Sequence, residues 1–368
     1  MKPIKLVVKT KSEKYQIIIG KNLISNLESL LKKNSIKFQK CLLIIDKNIP
    51  KKTSNKIIKS FKNTETYKYL YNANEKNKNQ NTVNKILNIL LNKNFSRNDC
   101  LISVGGGITG DVTGFAASLF KRGLKFVNIP STLLSQVDAS VGGKTGVNTA
   151  QGKNLIGSFY QPKIVISDIE FLKSLPMREI VCGYAEILKH SLIANKKFYA
   201  FLDRNIKKIL KLQSPLIEKS IYESCKIKKL VVEKDEHEVG MRKILNFGHT
   251  FAHAFEASLN FSKKLNHGEA VLLGMKSALD FSLEKKFFNK KEFNSISYHL
   301  DNFHFPNSIK DYFSSKDIKK IISFMLRDKK NNSDRIKLIL LKRIGGPTIE
   351  KEYSHQNIEK FLKRNLFN

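Results

Sequence analysis

Three helical segments in the second half of the chain carry side chains that could bind a divalent metal ion. In "NFGHTFAHAFE", His249 and His253 are four residues apart and share one helix face, where both imidazoles could reach one cation. Glu186 in "GYAEILKH" and His267 in "LNHGEAV" add a carboxylate and a further imidazole. One glutamate and two histidines suit Zn²⁺ and leave a position open for substrate oxygens. Taken singly, each histidine is more often a hydrogen-bonded helix residue.

A glycine-rich stretch in the first half, "LISVGGGITGDVTGF", could bind a phosphate group. Its apolar start reads as a buried strand, and the residues from Asp111 onward read as the start of a helix. Gly105, Gly107 and Gly110 have the G-x-G-x-x-G spacing, which lets the backbone and a helix N-terminus approach a dinucleotide pyrophosphate. On spacing alone, an ordinary strand-to-helix turn explains the pattern equally well.

The acidic residue that usually binds the ribose is missing from its expected position. No Asp or Glu occurs between Asp111 and Asp138, although a dinucleotide site normally has one about 20 residues after the glycines. Asp46 ends the apolar run "CLLIID" and is therefore a candidate for this contact. An acidic cap on the following loop is the alternative.

A basic and glycine-rich segment, "VDASVGGKTGVNTAQGKNLIGSFYQP", could bind a phosphate or a carboxylate. Lys144, Lys153 and Asn154 lie there among flexible glycines. A surface loop with solvated lysines is the alternative. Because apolar residues are interspersed with these groups, we predict a loop that folds inward.

Composition limits the class of protein. A chain of 368 residues with 41% hydrophobic residues can form about two globular domains. Its four cysteines are scattered without a C-x-x-C pair, which favours reduced thiols in the cytoplasm. The N-terminal residues lack the apolar core of a signal peptide, and no later run is long enough to span a bilayer, so we expect neither export nor membrane insertion.

The chain is strongly basic, with a formal net charge of +34. Its lysines are scattered among Asn and Ile instead of forming a compact stripe, and no aromatic RNA-binding motif or zinc knuckle accompanies them. We therefore predict solvated lysine-rich faces and no nucleic-acid partner.

Two kinds of element must position these side chains. Up to about residue 175, the strand-like runs "KLVV", "YQIII", "CLLIID", "YKYLY", "CLISV", "FVNIP" and "IVISD" alternate with amphipathic helices, which predicts a mostly parallel sheet. Later segments have helical periodicity, apart from a predicted returning strand in "IKLILLKRIG". We predict an α/β domain over residues 1–177 and a helical domain over 178–368, with a ligand site in the cleft.

Eight segments, in matching order over nearly the whole chain, resemble the 3-dehydroquinate synthase family. They are "GGGITGDVTGFAASLFKRG", "IPSTLLSQVDASVGGKTGVN", "GKNLIGSFYQP", "FLKSLP", "GYAEILKH", "RKILNFGHTFAHAFE", "NHGEAV" and "RDKK". The resemblance implies a Rossmann-like NAD-binding domain, an all-helical metal- and substrate-binding domain, and an active site in the inter-domain cleft. Polyol dehydrogenases share the glycine loop but lack the lysine-rich set. Related sugar-phosphate cyclases with other ring products remain an alternative, as does a nucleic-acid-binding protein on an inert fold.

The resemblance implies a cytoplasmic cyclase of the shikimate pathway, which leads to aromatic amino acids. Such a lyase converts 3-deoxy-D-arabino-heptulosonate 7-phosphate into 3-dehydroquinate and phosphate. Family members use NAD and a divalent metal, Zn²⁺ or Co²⁺, and are commonly homodimers. They oxidise a ring alcohol, eliminate phosphate, reduce the ketone, open the ring and close it by an aldol step.

The resemblance also assigns roles to individual residues. The metal ligands would be Glu186, His249 and His267. The NAD site would comprise Asp46, Ala73, Asn74, Glu75, Lys76, Asn77, Lys78, Gly106, Gly107, Ile108, Thr109, Gly110, Asp111, Ser131, Thr132, Lys144, Lys153, Phe171, Leu172, Lys173 and Ser174. The catalytic and substrate-binding residues would be Arg122, Asp138, Lys144, Asn154, Lys189, Lys228, Arg242, Asn246 and His253.

Within the substrate set, Arg242 and Lys228 would suit the carboxylate. The phosphate end would be bound by Lys144, Asn154, Asn246 and His253. Arg122 and either Lys329 or Lys330 would complete the phosphate pocket, from the same subunit or from a partner. Ala73 and Asn74 stand where the family usually has Asp-Gly, so the resemblance does not fix the turn of that loop.

Overall fold

The computed structural model describes residues 2–303, 305–306, 308–327 and 335–367. The chain forms two compact units. One contains the residues up to Ile180 together with Leu212–His237, and the other contains Val181–Lys211 together with the residues from Glu238 onward. The segment Leu212–His237 thus packs with the first unit, although the predicted boundary assigned it to the second domain. The division of function between an NAD-binding domain over residues 1–177 and a metal- and substrate-binding domain over residues 178–368 stays a prediction.

The first unit contains nine strands. They are β1 (Ile4–Lys9), β2 (Lys14–Gly20), β3 (Lys40–Asp46), β4 (Glu65–Tyr71), β5 (Cys100–Gly105), β6 (Lys125–Pro130), β7 (Lys144–Thr149), β8 (Gly152–Phe159) and β9 (Ile164–Asp168). Seven of them form one sheet in the order β1-β2-β9-β6-β5-β3-β4. All neighbours in this sheet are parallel except β1 and β2. The strands expected from the seven apolar runs are confirmed.

Twelve α-helices accompany these strands in the described residues. They are α1 (Leu27–Lys33), α2 (Lys51–Lys59), α3 (Gln80–Asn92), α4 (Gly107–Leu119), α5 (Met177–Ala194), α6 (Lys196–Leu210), α7 (Leu216–Lys234), α8 (His249–Ser258), α9 (His267–Glu284), α10 (Lys290–Asn302), α11 (Ile318–Leu326) and α12 (His355–Phe367). None is both long enough and apolar enough to cross a lipid bilayer.

The sheet has an apolar core on each face because successive side chains of a strand point in opposite directions. In β3, Cys41, Leu43 and Ile45 belong to one buried cluster, which includes residues of α1 and α2. Leu42 and Ile44 belong to a second cluster, which includes residues of α3 and α4. Each buried aliphatic side chain stabilises the fold by about 1.5–3 kcal/mol. This two-sided burial explains why β3 reads as a continuous apolar run.

The winding of the sheet reverses where β3 lies beside β5. The chain passes from β3 outward to β4, returns to β5, and then continues on the other side to β6. Ile45 pairs with Val104, so Asp46 and Gly105 end neighbouring parallel strands at the same edge. Ligands of open α/β sheets bind at such a reversal, beyond the carboxyl ends of the strands.

The prediction of an inward-folding basic loop is correct only for its first part, residues 137–143, which are mostly buried. The residues that follow form an antiparallel ribbon of β7 and β8, which pairs Thr145 with Ser158. Val147 is buried, whereas Leu155 and Ile156 on β8 are 45% and 47% exposed. Strand β7 packs against α4, which leaves β8 on the outer side of the ribbon with its backbone hydrogen bonds made to β7.

The second unit contains α6, α8 to α12 and most of α5. Four short strands accompany them: β10 (Arg335–Leu338), β11 (Leu341–Arg343), β12 (Gly346–Pro347) and β13 (Lys351–Ser354). They pair as β10 with β13 and β11 with β12. The predicted returning strand in "IKLILLKRIG" is confirmed, as two short strands instead of one.

Candidate active site

Three helices of the second unit bring the predicted metal ligands together. Glu186 lies on α5, and His249 and His267 are the first residues of α8 and α9. One potential ligand atom from each lies within 4.8 Å of the other two. The His249 Nε2 atom is 3.4 Å from Glu186 Oε1. Two imidazoles and a carboxylate at this separation fit a Zn²⁺ or Co²⁺ ion.

Close approach of the helix backbones produces this convergence. A Cβ atom on Gly268 would lie 2.2 Å from Cys182 Cα, so the start of α9 contacts the backbone of α5. A Cβ atom on Gly274 would lie 2.3 Å from the carbonyl oxygen of Gly248, which immediately precedes α8. Larger residues at either glycine would separate the helices that carry the predicted ligands.

We expect Gly268→Ala to lower the free energy of unfolding by about 1–3 kcal/mol, as overpacking of a close backbone contact does. It should also weaken Zn²⁺ binding, because α9 must move away from α5. Chemical denaturation and zinc titration measure the two effects. Gly20→Ala is the control, since its Cβ would make only ordinary contacts of 3.4 Å or more. Unchanged zinc affinity in Gly268→Ala would show that the close approach of α9 to α5 does not bring the predicted ligands together.

The protonation states of two of these predicted ligands favour metal binding. Burial acts to raise the pKa of Glu186, but the Lys189 ammonium and His249 outweigh it and hold this pKa well below its ordinary value. Burial and the Lys189 charge lower the pKa of His249. An ionised carboxylate and a neutral imidazole are the forms that coordinate a metal. Lys189 is buried and forms an ion pair with Glu186.

The glycine-rich turn joins β5 to α4 in the first unit. Helix α4 begins at Gly107, so the predicted helix start near Asp111 is wrong and two of the glycines lie in the first helical turn. Gly106 is the N-cap and makes no side-chain capping hydrogen bond. Helix N–H groups without a side-chain cap can bind an anion such as a pyrophosphate.

Side chains from neighbouring strand ends surround this turn. The Ser131 amide donates to the Gly105 carbonyl at 2.9 Å, which places the end of β6 beside the turn. A Cβ atom on Gly106 would lie 3.3 Å from Thr132 Cγ2. Asp46 accepts a hydrogen bond from the Asn48 amide at 2.9 Å, and burial raises the pKa of its carboxyl. Asp46 therefore makes the loop-capping contact that was the alternative interpretation. A role for Asp46 in binding the ribose stays a prediction.

Lys78 connects three predicted NAD- and substrate-binding segments. Its buried ammonium donates to Asp111 Oδ2 and to Asn154 Oδ1, each at 2.6 Å. The segment before it is a short 3₁₀ helix whose N-cap, Asn74, accepts from the Asn77 amide at 2.9 Å. Asn74 thus forms the turn of this loop, where the family usually has Asp-Gly. No local sequence pattern indicates the Lys78–Asn154 contact.

A second buried lysine holds Asp138. Lys228 on α7 donates to the Asp138 carbonyl and to its Oδ1, both at 2.6 Å. Asp138 lies in a π-helical turn, Ser135–Ala139, and such turns are frequent at functional sites. These contacts explain in part why α7 packs with the first unit.

Other predicted residues contact side chains of the second unit. Asn246 donates to Glu238 Oε1 at 3.0 Å, and Arg242 is buried in the same 3₁₀ helix, Met241–Asn246. The His253 ring stacks on His267 at a centroid distance of 6.4 Å, and His253 is not in the three-residue ligand group.

The remaining predicted residues lie at several places. Lys144 is exposed on the ribbon, and Arg122 has a left-handed φ of 63° in the turn after α4. Residues 171–174 lie in the 3₁₀ helix Ile169–Ser174. Glu75 accepts from Asn148 Nδ2 at 2.7 Å and lies 3.9 Å from Lys153. Lys329 and Lys330 are outside the described residues.

Glu256 is not among the site residues predicted from the sequence. This buried carboxylate lies 3.3 Å from His267 Nδ1. Its position seven residues after His249 puts it near the same helix face, which is the signal that could have found it. Burial acts to lower the pKa of His267, but the Glu256 carboxylate outweighs it and raises that pKa.

Most of the chain matches a known protein family. Residues 68–182 match the N-terminal domain of 3-dehydroquinate synthase, and residues 183–331 match its C-terminal domain. The 3-dehydroquinate synthase of Pelagibacter ubique is 61% identical over 363 residues, which cover 99% of each chain. The chain belongs to the 3-dehydroquinate synthase family.

Solved structures support the same fold. A 2-deoxy-scyllo-inosose synthase bound to carbaglucose-6-phosphate, NAD⁺ and Co²⁺ superposes with a TM-score of 0.86 at 23% identity, covering 99% of this chain and 100% of that one. A 2-epi-5-epi-valiolone synthase from Streptomyces hygroscopicus with NAD⁺ and Zn²⁺ gives 0.84 at 22% identity, covering 98% of each chain. The predicted dehydroquinate synthase-like fold, with an N-terminal α/β sheet and a helical C-terminal domain, is confirmed.

Proposed function

We propose that this chain converts 3-deoxy-D-arabino-heptulosonate 7-phosphate into 3-dehydroquinate and phosphate, as a carbon–oxygen lyase of the shikimate pathway. The observation that carries the proposal is the cluster of Glu186, His249 and His267 in a chain 61% identical to a 3-dehydroquinate synthase. Polyol dehydrogenases also bind a metal ion and NAD. The two reactions differ in their products, because the cyclase releases phosphate whereas the dehydrogenase releases NADH.

The cofactors of the proposed enzyme are NAD and Zn²⁺ or Co²⁺. Glu186, His249 and His267 would hold the metal ion, and the glycine-rich turn with Asp46, Lys78 and the end of β6 would hold NAD. When bound, NAD supplies a hydride acceptor that is regenerated, and the metal supplies a Lewis acid for the substrate hydroxyl. The Nδ1 atoms of His249 and His267 each lie 3.3 Å from an oxygen, which leaves Nε2 for coordination.

The cationic side chains bind and orient the substrate in this proposal. Arg242 suits the carboxylate, because a guanidinium can donate two parallel hydrogen bonds to it, and Lys228 assists there. The phosphate end is assigned to Lys144, Asn154, Asn246 and His253, with Arg122 completing the pocket. Buried cations are tolerated because the anionic groups of the substrate neutralise them.

Three further features of the enzyme are proposed from the family resemblance. They are an active site in the inter-domain cleft, a homodimer and a cytoplasmic location. The division of basic residues into carboxylate and phosphate binders belongs with them. Substrate binding to single lysine-to-methionine variants would test that division.

A coupled assay tests the reaction itself. Purified protein is incubated with the heptulosonate phosphate, catalytic NAD and Zn²⁺, while phosphate and NADH are followed together. We expect one phosphate per substrate consumed with no net NADH, because the transient ketone is reduced again. NADH accumulation without phosphate would instead support a polyol dehydrogenase. Identification of the product by NMR distinguishes 3-dehydroquinate from the rings made by related cyclases.

A further inference from the structure

Helix α8 presents three polar side chains toward one side. His249, His253 and Glu256 occur at intervals of four and three residues, which places them along one face of the helix. Glu256 is only 8% exposed, and its Oε2 lies 3.3 Å from His267 Nδ1. One helix therefore contributes a proposed metal ligand and also contacts a second ligand that belongs to another helix.

The backbone of His267 is fixed independently of this contact. Asn266 accepts from the Glu269 amide at 2.9 Å, and Glu269 accepts from the Asn266 amide at 2.8 Å. This reciprocal capping box sets the start of α9. It does not set the rotation or the tautomer of the imidazole, which require a partner on the ring.

The other histidine ligand provides a comparison. His249 Nδ1 lies 3.3 Å from the Phe247 carbonyl oxygen, and its Nε2 faces Glu186 Oε1 at 3.4 Å. An oxygen acceptor on Nδ1 keeps the proton there and leaves Nε2 with a lone pair for a metal. Glu256 occupies the equivalent place on His267.

We infer that Glu256 is a positioning residue, which holds His267 as the Nδ1–H tautomer with Nε2 directed at the metal. The inference rests on the metal centre of the proposed function. A carboxylate acceptor also increases the electron density of the imidazole, so Glu256 strengthens the coordinate bond without being a ligand.

Zinc affinity of the metal-free protein tests this role without any activity assay. We expect Glu256→Ala to weaken Zn²⁺ binding about 10–100-fold in competition with a chromogenic chelator. Glu256→Gln should stay within about threefold of wild type, because its amide oxygen still accepts from Nδ1–H. The visible absorption of bound Co²⁺ should change in Glu256→Ala and not in Glu256→Gln. Glu284→Ala, which removes an acid from the far end of α9, is the matched control.

Glu256→Asp provides a second comparison that does not depend on the alanine variant folding. It keeps the charge but withdraws the carboxylate by one methylene, so it should bind Zn²⁺ more weakly than Glu256→Gln. Wild-type affinity and an unchanged Co²⁺ spectrum in Glu256→Ala would overturn the inference, as would equal losses in Glu256→Gln and Glu256→Ala. If the wild-type chain itself fails to bind Zn²⁺, the metal centre of the proposed function is wrong, and the inference fails with it.

Discussion

We expect His267→Ala to lose the metal ion and to lower turnover on the order of 10³-fold or more. Removal of one of the three proposed ligands leaves only Glu186 and His249 to hold the metal. A Lewis acid stabilises the transition state by several kcal/mol. The fold should persist, because the His267 side chain is 36% exposed and the capping box before α9 uses other residues. Metal content, steady-state turnover and circular dichroism measure the three effects.

His355→Ala is a matched control for this variant. His355 is also the first residue of a helix, α12, and it is not in the ligand group. We expect this control to keep wild-type metal content and turnover. Full activity in a metal-free His267→Ala protein would remove His267 from the ligand set.

Lys78→Met should give the second large effect, on both stability and NAD binding. The change leaves Asp111 without its ammonium partner. We expect a loss of about 2–3 kcal/mol in the free energy of unfolding, below the range for a fully buried pair because 24% of the Asp111 side chain is exposed. NAD affinity should fall at least about tenfold, since Lys78 and its partner Asp111 both belong to the proposed NAD site. Denaturation and isothermal titration calorimetry measure these changes.

The stability loss in Lys78→Met should depend on pH. Burial raises the pKa of Asp111 above its ordinary value of 3.8, and Lys78 acts in the opposite direction. Without Lys78 the pKa rises further, so the folded variant takes up a proton more readily than the unfolded chain. The deficit relative to wild type should therefore shrink as pH falls and be largest near neutrality.

Lys85→Met is the control for both effects. Lys85 is an exposed residue of α3, which begins just after Lys78. We expect its removal to change neither stability nor NAD binding measurably. A pH-independent deficit in Lys78→Met would show that the ion pair with Asp111 is not the cause.

Local sequence patterns determined much of the secondary structure. Strands such as β3 and β5 were predictable because burial on both faces requires a continuous apolar run. The start of α9 at His267 was predictable because a polar loop ends there, and the structure adds the capping box of Asn266 and Glu269. The start of α4 was missed, because glycines in a first helical turn look like part of the preceding loop.

Long-range packing decided those parts of the fold that local patterns did not predict. The amphipathic pattern of α7 required an apolar partner but did not specify which unit supplied it, and Lys228 and Asp138 form contacts that no local rule predicts. The basic segment was equally compatible with an inward loop and with the ribbon that formed, because pairing between β7 and β8 depends on register.

The residue types available for chemistry were evident from the sequence, and the family resemblance indicated which of them to group as metal ligands. That ligand atoms of Glu186, His249 and His267 lie within 4.8 Å of one another, and that Glu256 contacts His267, became evident only from the folded chain. Such distances depend on how closely helix backbones approach, which no local pattern specifies. In this chain, Gly268 and Gly274 allow contacts that any larger side chain would block.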